Sequence, residues 1–120
     1  MEPFAQGMYV LSNVATGNEF HKEGVMHHLL PPEASGFTPS AIIRFLQDNN
    51  SCLRTAAMWC IINLTYPDSP GAMDRVTRLR SAGIISQIKH MVNDPCLEVK
   101  VKGRFTMFQY HIEMLSVSTF

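Results

Sequence analysis

The stretch Arg54–Tyr66, RTAAMWCIINLTY, predicts one long helix with two distinct faces. An apolar stripe with helical spacing runs along this helix and needs a neighbouring helix to cover it. The stripe consists of Leu53, Ala57, Cys60 and Leu64. At about 100° per residue, Trp59 and Asn63 fall together on a second face. An aromatic side chain one turn before an amide favours a surface that contacts another chain.

The same aromatic-then-amide pattern occurs three times along the chain, which indicates internal repeats. The three pairs, spaced 50 and then 46 positions apart, are Tyr9 with Asn13, Trp59 with Asn63, and Phe105 with Gln109. The second spacing also aligns Leu53 with Val99 and Ala57 with Gly103. Periods of this length are typical of α-helical repeat proteins, with loop insertions lengthening the unit.

Shorter helices and polar turns between the long helices complete a unit of three helices. Periodicity and turn residues predict these further helices at Glu19–Leu29, Ala41–Gln47, Arg75–Ala82, Ile84–Val92 and Leu97–Tyr110. Ser40, the polar turn at 48–51 and Asp74 supply N-caps, and Gly83 ends a helix in the left-handed conformation. The segment 31–39 is rich in Pro and Gly and predicts a loop. Because no alternating strand pattern is present, the predicted fold class is all-α.

Composition places the chain among globular proteins of one domain. The sequence has 120 residues, 46% of them hydrophobic and 17% charged, which argues against disorder. Its formal net charge of zero gives no electrostatic reason to expect nucleic acid or an anionic membrane as a partner. No apolar run approaches the roughly 18 residues that span a bilayer. The three cysteines form no paired motif, so we expect reduced thiols in a cytoplasmic or nuclear protein.

Catalytic and metal-binding patterns are weak in this sequence. The adjacent His27 and His28 point about 100° apart on a helix, and His21 is too far from His28 for a two-ligand helical site. The thiols lack a local acid–base signature; they are Cys52, Cys60 and Cys96. We therefore predict no catalytic residue, no metal and no cofactor.

One predicted helix carries a cluster of basic residues. Arg75 and Arg78 have helical spacing, and Arg80 follows them. A solvated helix face is the expected explanation, with docking to an acidic partner segment as the alternative.

Two segments resemble known repeat units. RTAAMWCIINL resembles the third helix of armadillo repeats, and RLRSAGIISQIKHMVNDP resembles the junction between the first two helices of that unit. Over about Met8–Lys100, the chain is similar to the C-terminal repeats of the armadillo-repeat-containing scaffold subunits of GID/CTLH ubiquitin-ligase complexes. Three blocks carry this similarity: YVLSNVATGNEFHKEGVMHHL, LRTAAMWCIINLTYPDSPGAMDRV and LRSAGIISQIKHMVNDPCLEVK. Within them, NVATGNEFHKE and MVNDPCLEVK are not generic armadillo consensus.

The resemblance implies a right-handed α-solenoid of armadillo-type repeats across the whole chain, 1–120. The approximate repeats are 1–17 (partial), 18–66 and 67–112, followed by a tail at 113–120. Pro3 and Gly7 are unlike the front of a long helix, and the run after Lys102 loses the small residues of the repeat. We therefore expect a fragment or variant of a longer solenoid. Its open apolar ends predict that the isolated chain is marginally stable or associates.

The resemblance also implies a non-enzymatic scaffold that holds a substrate-receptor subunit in a groove. Such a scaffold works in the cytoplasm and nucleus, in proteasome-dependent protein degradation. In such grooves an amide side chain can bond a peptide backbone, and an indole can support aliphatic or cationic side chains. The predicted groove residues are Trp59, Asn63, Tyr9, Asn13, Thr55, Phe105 and Gln109.

Other interpretations of these residues and of the groove remain open. Asn near a helix end can be a cap, and Trp can be a core residue. A functional alternative is a carrier that binds extended basic signal peptides, although few acidic residues lie near the three aromatic–amide pairs. An enzyme is the third hypothesis.

Overall fold

The computed structural model describes residues 3–30 and 40–118, with side chains described for 6–30 and 40–109. Within these ranges the chain is all-helical, which confirms the predicted class. The seven helices are α1 (Pro3–Val14), α2 (Glu19–Leu29), α3 (Ala41–Leu46), α4 (Ser51–Leu64), α5 (Ala72–Ser81), α6 (Ile84–Met91) and α7 (Leu97–Ser118). The predicted loop at 31–39 lies outside the described residues. None of the helices described here is long and apolar enough to cross a membrane.

Local sequence explains where several helices begin. The side chains of Asn18, Ser40 and Asn50 occupy N-cap positions and accept hydrogen bonds from backbone N–H groups of the first turns of α2, α3 and α4. Gly83 has φ +83°, a left-handed conformation that costs glycine little, and it lets the chain turn sharply between α5 and α6. These three side-chain caps and one glycine fix where α2, α3, α4 and α6 begin.

Other helix bounds differ from the sequence prediction. α1 begins at Pro3 and runs through Gly7, so this segment is helical although both residues are unlike the front of a long helix. Proline fits the first helical turn because its missing N–H would have no partner there anyway. α5 begins at Ala72, with Asp74 inside the first turn rather than at the N-cap, where its charge favours the helix N-terminus. α7 continues past Tyr110 to Ser118.

The three longest helices form a row. α4 packs between α1 and α7, α3 packs against both α4 and α6, and α6 packs against α7. The predicted apolar stripe is buried inside this arrangement, which confirms that part of the prediction; its members are Leu53, Ala57, Cys60 and Leu64. We call α1, α4 and α7 the long-helix row.

The C-terminal turn of α4 is tied to three other helices by side-chain donors. Lys22 on α2 donates to the backbone oxygen of Asn63 at 3.0 Å, and also to that of Ala15 just after α1. Arg75 on α5 donates to the Leu64 oxygen at 2.6 Å. Gln109 on α7 donates to the Thr65 oxygen at 2.8 Å. Carbonyls at a helix end lack helical partners, so these donors satisfy groups that would otherwise be buried without hydrogen bonds.

Arg75 is wholly buried, so its interpretation as part of a solvated face is wrong. Its guanidinium contacts Glu19 at 2.7 Å, Glu23 at 3.1 Å and the Ser69 hydroxyl at 2.9 Å. A buried Arg is stable in such a place because five fixed donors can meet several acceptors at once. Arg80, five residues later on the same helix, is exposed as expected.

Acid is expected to weaken the junction between α2 and α5. Hydrogen bonds from Arg75 and then from Ser69 hold the pKa of Glu19 at about 2, below its ordinary 4.5. Because the folded pKa is the lower one, this contribution to stability is present above pH 4.5 and is lost as pH falls towards 2. Glu19→Gln should therefore lose less stability than the wild type between pH 5 and pH 2, measured by denaturant unfolding. An equally steep loss in both proteins would contradict this assignment, and Glu98→Gln, at an exposed carboxylate on α7, is the control.

Gly103 permits the close approach of α7 to α6. A Cβ added there would lie 3.2 Å from the backbone oxygen of Met91, which cannot move without shifting α6. Gly103→Val is expected to lower the free energy of unfolding by about 1–3 kcal/mol, as overpacking does. Gly24→Val on α2 is the matched control, since nothing lies within 4 Å of a Cβ at that position. Thermal unfolding of both variants tests the prediction, and equal melting temperatures would contradict it.

Candidate protein-binding surface

Trp59 lies on the exposed side of the long-helix row. It is 42% exposed although most of α4 is buried. The ammonium group of Lys102 on α7 lies 4.7 Å from the centroid of the Trp59 ring, a cation–π contact between neighbouring helices. The contact holds the indole in place while leaving part of it accessible, so this position can bind a partner at little cost in side-chain entropy.

Three helices contribute polar side chains to the same side of the row. Tyr9 on α1 is half-buried, and its pKa is raised above 10.0 by burial first and then by Cys52 on α4 and Glu98 on α7. By helical spacing, Cys52, Trp59 and Asn63 lie on one side of α4. Glu98, Lys102 and Phe105 likewise lie on one side of α7, and the Trp59–Lys102 contact brings the two sides together. We call the surface formed by Tyr9, Cys52, Trp59, Asn63, Glu98, Lys102 and Phe105 the row face.

Asn63 connects α4 to α1 as well as contributing to the row face. Its side-chain nitrogen donates to the Ser12 backbone oxygen at 3.0 Å and to the Ser12 hydroxyl at 3.2 Å. The donor of this amide is therefore used within the chain. Its Oδ1 meets no donor among the described residues and can still act as an acceptor.

The remaining predicted groove residues divide into exposed and buried ones. Asn13 and Phe105 are exposed. Thr55 is buried and lies, by helical spacing, on the side of α4 between Trp59 and Thr65, two residues that contact α7. Gln109 is buried with its amide bonded to Thr65, so it joins α7 to α4. Neither Thr55 nor Gln109 is accessible to a partner, and the row face excludes both.

Two charged residues of the row face, Lys102 and Glu98, escaped the sequence analysis. Lys102 precedes Phe105 by three residues, which is about one helical turn. This spacing was the sequence signal that could have placed Lys102 on the same face as Phe105. Its contact with Trp59 joins residues that are far apart in sequence, and periodicity within one helix cannot reveal such a pair.

The cysteines differ in their expected reactivity. Burial raises the pKa of the Cys60 thiol to about 12, so it stays protonated and unreactive near neutral pH. Backbone N–H groups at the start of α7, that of Val99 above all, lower the pKa of Cys96. Among the residues with described side chains, no group of three His, Cys, Asp or Glu is placed to hold a metal ion.

Comparison of the chain with protein-family models, curated proteins and solved structures gives no match.

Proposed function

We propose that this chain is a non-catalytic scaffold segment of a ubiquitin-ligase complex of the GID/CTLH type. In this role the row face holds a substrate-receptor subunit and so places substrates near a catalytic module that lies on another subunit. Its place of action is the cytoplasm and nucleus, and its output is proteasome-dependent protein degradation. The proposal rests on the sequence resemblance over Met8–Lys100 together with the arrangement of the long helices.

The side-by-side packing of the long-helix row supports an armadillo-type solenoid. Equivalent amides perform equivalent tasks: Asn63 reaches back to Ser12 on α1, and Gln109 reaches back to Thr65 after α4. Both amides thus bond back toward the preceding long helix, which supports a stacked-repeat arrangement. α2 with α3, and α5 with α6, then supply the first two helices of successive units.

The exposed indole of Trp59 is the observation that carries the binding role. Tryptophan is enriched among the residues that dominate the energy of protein interfaces. The neighbouring side chains of the row face supply both hydrogen-bonding and aromatic groups, which suits an extended peptide segment.

The alternative, a carrier for basic signal peptides, is less well supported. The ammonium group of Lys102 already lies over the Trp59 ring, so a Lys or Arg side chain of a peptide would meet a like charge there. Of the acidic residues near the row, Asp94 is paired with Arg54, and Asp48 caps a turn by accepting from the Asn50 N–H; Glu98 is an exposed carboxylate of the row face itself.

Capture of a receptor subunit tests the proposal. The immobilised wild-type chain should retain a GID/CTLH substrate-receptor subunit, and Trp59→Ala should retain much less. Undiminished capture by Trp59→Ala would contradict the proposal that the row face holds the receptor subunit. Titration with a fluorescent Lys- and Arg-rich peptide at two salt concentrations separates the alternative, since a carrier would bind with marked salt sensitivity.

A further inference from the structure

An apolar side of α7 faces solvent at one end of the long-helix row. Leu97 is 71% exposed and Phe108 is 64% exposed, and Val101 lies exposed between them on the same side of the helix. Phe108 lies 46 positions after Ile62, and Val101 lies 46 positions after Thr55. We call the surface formed by Leu97, Val101 and Phe108 the tail face.

The equivalent side of α4 is covered. Thr55 and Ile62 are buried and lie, by helical spacing, between Trp59 and Thr65, which contact Lys102 and Gln109 of α7. The tail face therefore has the position and apolar character of a surface that, one repeat earlier, receives the next long helix. A long helix bound to the tail face would therefore extend the packing that the chain already contains between α4 and α7.

The opposite end of the row exposes the complementary side of α1. Val10 is 60% exposed, and Asn13 and Val14 are exposed beside it. In α4 the matching positions, 50 residues later, are Cys60, Asn63 and Leu64; Cys60 and Leu64 are fully buried, and Asn63 bonds α1. We call the surface formed by Val10, Asn13 and Val14 the head face.

The head face also borders a cleft that can accept large apolar side chains. The cleft has a volume of about 460 Å³ and lies between α1, α2 and α3, with Val10, Leu11 and Phe45 in its lining. The tail face carries Leu97 and Phe108, which are larger than the valine and asparagine side chains of the head face beside the cleft. The larger side chains of the tail face could therefore enter the cleft beside the head face of another copy.

We propose that the tail face of one copy of this chain packs on the head face of a second copy, continuing the long-helix row from molecule to molecule. Such a contact is heterologous, so it leaves a free head at one end and a free tail at the other, and further copies can add. It repeats the packing of α4 on α1 and of α7 on α4. It does not depend on the row face, which stays open along the extended stack.

Sedimentation velocity over a wide range of concentration tests this proposal. The wild type should associate as concentration rises, and Val10→Glu or Phe108→Glu should each weaken association by about tenfold or more, since a carboxylate would be buried without a partner. Phe20→Glu is the matched control, because Phe20 is an exposed aromatic, 82% accessible, on α2 outside both faces. This control should associate as the wild type does.

A mixture of the two variants distinguishes head-to-tail association from other modes of self-association. Val10→Glu keeps an intact tail face and Phe108→Glu keeps an intact head face, so an equimolar mixture should form a dimer with one copy of each and nothing larger. Dimer formation also shows that both variants are folded. A wild type that stays monomeric at all concentrations would overturn the proposal, as would a mixture that stays monomeric. Association of Val10→Glu alone as strong as that of the wild type would overturn it too, because it would mean that the tail face binds itself.

Discussion

Arg75→Met is expected to lower the free energy of unfolding by about 2–4 kcal/mol. The substitution removes the donor to the Leu64 oxygen and the shared partner of Glu19, Glu23 and Ser69. The carbonyl would remain buried without that hydrogen bond, whereas the two carboxylates retain contact with water, which keeps the loss below that of a fully sealed ion pair. Methionine fills much of the arginine volume, so the effect reports the lost polar contacts more than a cavity.

Arg80→Met on the same helix is the control for this prediction. Arg80 is exposed, and a surface substitution of this kind usually changes stability by less than about 0.5 kcal/mol. Chemical denaturation of the two variants gives the comparison directly. If Arg75→Met is no less stable than Arg80→Met, the buried guanidinium does not hold α2, α4 and α5 together as described.

Trp59→Ala is expected to weaken binding of the receptor subunit by about 10- to 100-fold, the range for loss of a tryptophan that anchors an interface. The indole is held by Lys102 and is partly exposed, so the bound conformation costs little further ordering. Because Trp59 belongs to the exposed side of α4, its removal should leave the buried stripe beneath it intact. Calorimetric titration of wild type and variant measures the change in affinity.

Phe20→Ala controls for the loss of any exposed aromatic side chain, since Phe20 lies on α2 away from the row face. Its affinity for the receptor subunit should equal that of the wild type. Asn63→Ala is a poorer probe, because the amide also bonds Ser12 and its loss disturbs the contact of α4 with α1. An equal loss of affinity in Phe20→Ala and Trp59→Ala would contradict a role confined to the row face.

Much of the fold was predictable because its determinants are local. The helical spacing of Leu53, Ala57 and Cys60 correctly predicted the buried side of α4, and Gly83 correctly marked the turn between α5 and α6. The start of α1 at Pro3 was not predicted because Pro3 and Gly7 stand where strong helix formers are expected, although proline is well tolerated in the first turn. Local patterns report these features because caps and periodicity act within a few residues.

The buried cations could not be predicted in this way. Lys22 and Arg75 have the composition of surface residues, and their acceptors are backbone oxygens and carboxylates distant in sequence. Only the packing of α2 and α5 on the end of α4 makes burial of these charges favourable. For the candidate site, the pattern of Trp59 and Asn63 indicated a surface, but whether a given member is accessible depends on the packing of the helices, as the burial of Thr55 and Gln109 shows.

The most direct test of the binding role uses Trp59 itself, the single tryptophan of the chain. Incorporation of fluorotryptophan gives one fluorine NMR resonance, and an unlabelled receptor subunit contributes none. If the row face holds the receptor, this resonance should shift on addition of receptor and saturate with the affinity that calorimetry measures. Saturable binding that leaves the resonance unmoved would place the receptor elsewhere on the chain and contradict the role assigned to Trp59.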